Sequence, residues 1–427
     1  MKRKSFVVGL WVLGSTFFLP TDTQTNDGED GTSPLEKRRL LVAEHKPDTP
    51  HEETSPSGAE IYMRNCAGCH GEEGAGDGPV ADSFDPRPRD FTSGHFSFRS
   101  TEYGGMPSDE DLLRTISEGI RWSAMPAFGE VLTRKERESI LAHMKTLSKF
   151  YDDEEWYNIF ELRGEPDPIA VPPAPRPTAE ILELGKKLYG NDEGGFCYKC
   201  HGDTGTGNGP SAEELKDAWD RPIRPADLTR HSYKRGSEAR EIYLRIRTGL
   251  PGTPMPETDL FDLADDEAWA VALYVESLQE EPEDWFEIGK LYYKAYGCIQ
   301  CHGPDGEGGV KNPNYAKETV PPLDTLAEKM LLTYEEDADL LVELLEENAK
   351  LEEDPRYQEI ERYRAVLAQY HSIGDVIRNG NPAGRADPEG PLPAIAFMPA
   401  YEGILSDQDI SAIIAYLLTL QPWEVID

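Results

Sequence analysis

Six cysteines occur in this chain of 427 residues, all within three copies of one pattern: Cys66-Ala-Gly-Cys69-His70, Cys197-Tyr-Lys-Cys200-His201 and Cys298-Ile-Gln-Cys301-His302. Residues three apart on a helical turn share a face, so each pair can present two thiols to one molecule while the next histidine offers its imidazole beside them. Two thioethers and one imidazole are the attachment chemistry of a c-type haem. Paired Cys-x-x-Cys also suits structural zinc or a redox dithiol. Neither accounts for a histidine after every pair and no cysteine elsewhere. The spacing predicts three covalently bound c-type haems, with His70, His201 and His302 as proximal iron ligands.

A methionine sulfur opposite the histidine stabilises ferrous iron, and Met-Pro recurs downstream of each motif at Met125-Pro126, Met255-Pro256 and Met398-Pro399. Proline biases the residue before it toward extended backbone, which suits a ligand carried on a loop. His70 to Met125 is 55 residues and His201 to Met255 is 54, whereas His302 to Met398 is 96. Met106-Pro107 competes in the first unit, but the same offset before Met255 falls on Gly236. A single methionine reads as core filling; three at matched positions point to Met125, Met255 and Met398 as the sixth ligands. Irons saturated in this way leave no position for substrate, which makes the chain an electron carrier or electron-transfer subunit rather than an enzyme. His45 and His51 fall in a polar lead, and His95, His231 and His371 have no repeated position, so these read as surface or packing residues, with His371 kept as an alternative ligand.

The elements that position these groups repeat as well. A helical stretch with Gly and Tyr precedes each motif, at Gly58 to Tyr62, Gly185 to Tyr189 and Gly289 to Tyr292, and an amphipathic stretch closes each unit, at Ile140 to Leu147, Val271 to Leu278 and Ile413 to Leu420. On motif, methionine loop and closing helix together, most of residues 56 to 427 resembles the class I c-type cytochromes. That resemblance implies an all-α fold of three tandem cytochrome c domains. It further implies that the first-helix glycine admits an aromatic of the last helix, here Tyr274 and Tyr416 with His143 in the matching place, which makes His143 a packing residue. Arg87 to Thr92 matches Ile223 to Thr229; in such a fold this loop lies near the haem edge, where Arg89 or Arg224 neutralises a propionate or the loop is a plain turn scaffold.

The expected boundaries are a signal peptide or N-terminal anchor at 1–22, a flexible polar lead at 23–55, domains at 56–150, 178–280 and 281–427, and a proline-rich linker at 151–177. The linker is expected to be extended and stiff, and the second and third domains, joined near Glu280 to Glu283, to pack on each other. The third domain carries an acidic helical insertion around 324–364, with 14 acidic and 5 basic residues between Asp324 and Arg364 and an apolar stripe at Leu340, Leu341, Leu344 and Leu345. It reads as a solvated decoration packed on its own domain, or a docking surface, removable without loss of the haem spectra.

Eighty acidic against 43 basic residues give a net charge of −37, which excludes nucleic acid as a partner and favours a redox protein with a basic docking surface. Lys2 to Lys4 followed by the apolar run Phe6 to Leu19 has the charge order of an export signal. The location is therefore expected to be periplasmic or otherwise extracytoplasmic, with a membrane contact solely through an N-terminal anchor. The first two units look similar to cytochromes that accompany molybdopterin-type oxidoreductases. The functional expectation is an exported triheme carrier of single electrons between a respiratory or molybdopterin-type oxidoreductase and an acceptor. Alternatives are the triheme subunit of a membrane-associated alcohol or sugar dehydrogenase, or a haem enzyme with one open site.

Overall fold

Helix α1, Gly58–Asn65, begins at Ser57, whose hydroxyl accepts from the Glu60 amide while the Glu60 carboxylate accepts from the Ser57 amide. This reciprocal box satisfies two donors that the first turn leaves open. The computed structural model describes residues 56–427 apart from 103, 153–154, 165, 191–194, 231–232, 258–262, 281, 283, 312–318, 381–397 and 424–427. The expected signal or anchor, the polar lead, and His45, His51 and His231 lie outside the described residues.

The first unit continues through α2 (Ala67–His70), α3 (Asp109–Glu118) and α4 (Arg134–Leu147), followed by the antiparallel strands β1 (Lys149–Asp152) and β2 (Glu155–Asn158) and by α5 (Ile159–Arg163). The second comprises α6 (Ala179–Tyr189), α7 (Tyr198–His201), α8 (Ala239–Thr248) and α9 (Asp265–Glu276). The third comprises α10 (Trp285–Ala295), α11 (Cys298–His302), α12 (Leu326–Lys329), α13 (Glu335–Glu346), α14 (Tyr363–Asn379) and α15 (Asp407–Leu418). Among the described residues the fold is all-α with one two-stranded hairpin.

In every unit the first helix crosses the last: α1 on α4, α6 on α9, α10 on α15. Gly58, Gly185 and Gly289 mark the crossings, because a Cβ at these positions would collide with the carbonyls of Ser139, Ala270 and Ala412 respectively. Beside each crossing an aromatic pair meets across the helices, Tyr62 with His143 at 5.1 Å between ring centroids, Tyr189 with Tyr274 at 5.5 Å and Tyr293 with Tyr416 at 5.6 Å. The third pair corrects the sequence register: Tyr293, four residues after its glycine, takes the place expected of Tyr292.

Four further expectations change. Residues 155–163 belong to the first unit rather than to the linker expected from 151, since Ile159 is buried in its core and the Asn158 side-chain amide donates to the Lys145 carbonyl. The proline-rich stretch lies back along the first unit: the Ile169 amide donates to Ser100, and Pro168 bridges Thr101. The third unit docks on the first, not through the short joint with the second. The Trp122 amide donates to the Ala295 carbonyl at 2.7 Å, and the Gln300 side chain exchanges hydrogen bonds with the Asp85 backbone at 2.6 and 3.1 Å.

The acidic insertion, finally, packs on its own domain as expected, but as part of the core rather than as a removable decoration. Leu341, Leu344, Met330, Tyr357, Ile360 and Val366 are buried in the core of the third unit together with α15, so its apolar stripe fills the domain and its acids face outward. Nor does it hold all the extra length. Helix α14 is 17 residues against 10 for both α3 and α8, and more lies between Gly380 and Met398.

Candidate functional site

Each motif begins at or beside a helix start and winds into one turn, with the His70 amide donating to the Cys66 carbonyl at 2.9 Å and His201 to Cys197 at 2.8 Å. The six sulfurs form no disulfide. A tyrosine from the preceding helix locks the turn from behind: the hydroxyls of Tyr62, Tyr189 and Tyr293 donate to the carbonyls of Gly71, Gly202 and Gly303 at 2.7, 2.7 and 2.6 Å.

Three backbone carbonyls then orient the histidines. Nδ1 of His70 lies 2.9 Å from the Arg89 oxygen, that of His201 3.1 Å from Ala226, and that of His302 3.1 Å from Pro321. A carbonyl can only accept, so Nδ1 carries the proton and Nε2 keeps its lone pair for a metal. Burial lowers the His70 pKa to about 4, keeping the imidazole in its neutral, ligating form. These carbonyls were invisible in the sequence as partners; the signal available was the repeated Asp-x-Thr of Asp90-Phe-Thr92 and Asp227-Leu-Thr229, whose carboxylates accept from the Thr92 and Thr229 amides. In that register Ala226 replaces Arg89, and Arg224 aligns with Arg87.

The methionine loops share one construction. In the first unit, Ile120 N donates to the Met125 carbonyl at 3.1 Å, and Ser123 Oγ accepts from Met125 N at 3.2 Å. In the second, Leu250 N donates to Met255 at 3.0 Å and Thr253 Oγ1 accepts from Met255 N at 3.3 Å. A glycine ends the helix before each methionine, Gly119, Gly249 or Gly380, with φ of 68°, 60° and 68°. A Cβ there would crowd the Met125, Met255 or Met398 carbonyl, at 2.7, 3.1 and 2.5 Å. The same glycine therefore meets the same methionine in the third unit despite the longer intervening chain.

Cys66, Cys69, His70 and Met125 line one continuous cavity together with Cys197, Cys200, His201 and Met255, about 940 Å³ in all. Met106 is not among its walls but is fully buried in the first core. Met398 and Cys298 both pack on the third core. His143 packs on Tyr62, His95 is exposed, and His371 sits at the surface with Nε2 3.0 Å from Glu352.

Burial pushes the Cys66, Cys69, Cys197 and Cys298 thiols up to about 12 and Cys301 to about 11, the opposite of the thiolate that a dithiol exchanger needs. Among the described residues no group of three or more His, Cys, Asp or Glu is placed to hold a metal ion, so zinc does not fit. A haem does. The charged lining of the cavity is basic apart from Asp227, with Arg87, Arg89, Arg224, Lys234, Arg235 and Arg245 facing it, in a chain of net charge −37. Nη1 of Arg89 is buried without a protein partner, and Nη2 donates to Ser97 at 2.6 Å. Carboxylates of a haem answer both observations.

Comparison with known proteins agrees. The profile of the family described as cytochrome c oxidase, cbb3-type, subunit III matches residues 53–144, and that of cytochrome c matches 182–279 and 286–358. The chain belongs to the c-type cytochromes. Its family match in the third unit ends within the insertion, ahead of Met398 and α15. No curated protein matches this cytochrome. A chain of the reducing HAO-like protein complex of Kuenenia stuttgartiensis is similar to it, at 42% identity over 52% of this chain and 96% of that chain, with a TM-score of 0.48.

Proposed function

We propose that this multihaem cytochrome carries three haems, at Cys66/Cys69, Cys197/Cys200 and Cys298/Cys301, with irons held by His70 and Met125, His201 and Met255, and His302 and Met398. It passes single electrons between a respiratory or molybdopterin-type oxidoreductase and an acceptor. The observation that carries this reading is repetition: in all three units a carbonyl-oriented histidine follows the cysteine pair, and a helix-ending glycine seats the Met-Pro loop. Such a haem supplies an iron that alternates between ferrous and ferric states; the chain supplies its attachment, its ligands and, at the first two sites, a lining whose charged side chains are mostly basic. The apolar run Phe6 to Leu19 behind Lys2 to Lys4 supports an extracytoplasmic location, since haem attachment needs reduced thiols delivered outside the cytoplasm. No described helix is long and apolar enough to cross a membrane. The charge of −37 supports a partner with a basic docking surface.

The electronic spectrum of the oxidised protein tests the ligand set. Low-spin bands at all sites, with the weak near-infrared band of methionine sulfur on ferric haem, are expected. Met125→His should remove about a third of that band if the sites contribute equally, and Met106→Leu none of it. High-spin absorption from any unit would instead indicate an open iron and return the enzyme reading.

A further inference from the structure

Sequence order places the second haem motif between the other two, but the packing does not. The first and second motifs open into one continuous cavity. The first motif also meets the third: Cys69 and Cys301 pack together with Ala124 against Val80 and Phe84. The contact is close along its length. Gly297, just before Cys298, leaves no room for a Cβ beside the Ser123 carbonyl. Trp122 donates to Ala295, Gln300 holds the Asp85 backbone, and the Arg121 guanidinium lies 5.6 Å from the centre of the Tyr296 ring. The loop that presents Met125, residues 120–125, thus touches the third motif directly, and the turn after the first motif supplies the rest of the contact.

We propose that the first unit is the middle of the electron path and that the second and third units are its two ends. The inference rests on the reading of three haems given above. Electron exchange between haems weakens steeply with the distance between their edges, and a haem edge is where its thioethers are made. Cys69 and Cys301 therefore bring the first and third haem edges together, and the shared cavity does the same for the first and second. With haems bound, the second and third units would exchange single electrons with a donor and an acceptor protein, each haem giving up the one electron it receives, and Cys66, Cys69 and His70 would hold the haem through which that electron crosses between the two ends. The short joint near Glu280 to Glu283 ties the two ends in sequence without making them neighbours in the relay.

Magnetic coupling between ferric irons in the full-length, haem-loaded protein reads this order without any turnover. Three variants, each with one cysteine pair changed to serine, should retain two haems each by spectrum of the denatured chain. With Cys197→Ser/Cys200→Ser or Cys298→Ser/Cys301→Ser, the remaining pair should show strong dipolar relaxation. With Cys66→Ser/Cys69→Ser it should be weaker by several-fold. In the intact oxidised protein, which needs no variant to fold, two strong couplings and one weak one are expected. Strong coupling between the second and third haems, or three equal couplings, overturns the proposed order while leaving the haem count intact. Loss of no haem from any variant would refute the haem reading itself.

Discussion

Against the second unit the first presents several charged side chains; against the third it presents mainly backbone and apolar side chains, with Arg121 lying over the Tyr296 ring. Across the first seam Arg114 pairs with Glu241 at 2.8 Å, Arg235 donates to Thr115, and Arg245 donates to the Ser97 and Arg99 carbonyls. Arg89 reaches over it to lie 5.0 Å from the centre of the Trp219 ring. The second seam is held by the Trp122–Ala295 and Gln300–Asp85 hydrogen bonds around the Val80 and Phe84 cluster. Buried cations cost desolvation, so their concentration in one seam fits the proposal that anionic cofactor groups are held there. In the other seam proximity of the two motifs is what the packing achieves.

Breaking the charged seam should have the larger effect on stability. Glu241 is buried and shares Arg114, itself partly exposed, with Glu118, so Glu241→Ala weakens the compensation of the seam's cations and should cost about 2 kcal/mol, measured by urea unfolding. Wild-type stability in that variant would mean that water, not Glu241, solvates the seam. Arg89→Met sharpens the same point electrostatically. Removing a buried positive charge favours the ferric state, so the potentials of the first two haems should fall by about 1–2 kcal/mol equivalent in a redox titration, with the third unmoved. A fall at the third site instead would place Arg89 in the wrong seam.

Gln300→Ala removes two partly solvated hydrogen bonds and should cost about 1 kcal/mol, visible as a lower unfolding midpoint, while the potentials stay put. The smallest structural effect belongs to the outward face of α13. Neutralising Glu335, Glu336, Asp339 and Glu346 to their amides should change stability by less than about 0.5 kcal/mol, yet flatten the salt dependence of reaction with a basic redox partner. An unchanged salt slope assigns the steering elsewhere. Deletion of the whole segment is no test of charge, because Leu341 and Leu344 would be lost from the core.

The sequence spelled out side-chain chemistry and was silent on backbone chemistry. Six cysteines, three histidines and three Met-Pro pairs stood out because those side chains recur in the same order in each unit, as did the closing-helix aromatics and His143. The Nδ1 acceptors did not, because Arg89, Ala226 and Pro321 contribute only carbonyls and any residue type has one. Tyr293 was hidden by its neighbour Tyr292, a one-residue ambiguity that spacing from Gly289 resolves. The docking of the third unit on the first was equally hidden: Trp122, Ala295, Gly297 and Asp85 meet largely through main-chain atoms. The insertion was legible as far as its packing on its own domain, through the leucine stripe; what its 14 acids concealed is that those leucines belong to the core and cannot be removed.

Mass spectrometry of the intact, denatured polypeptide after expression with export and haem attachment tests the central claim most directly. Thioether bonds survive unfolding, so the chain should carry the added mass of three haems, falling to two when Cys66 and Cys69 are both changed to serine. A polypeptide at its bare mass, with stoichiometric zinc recovered from the native protein, would contradict the account.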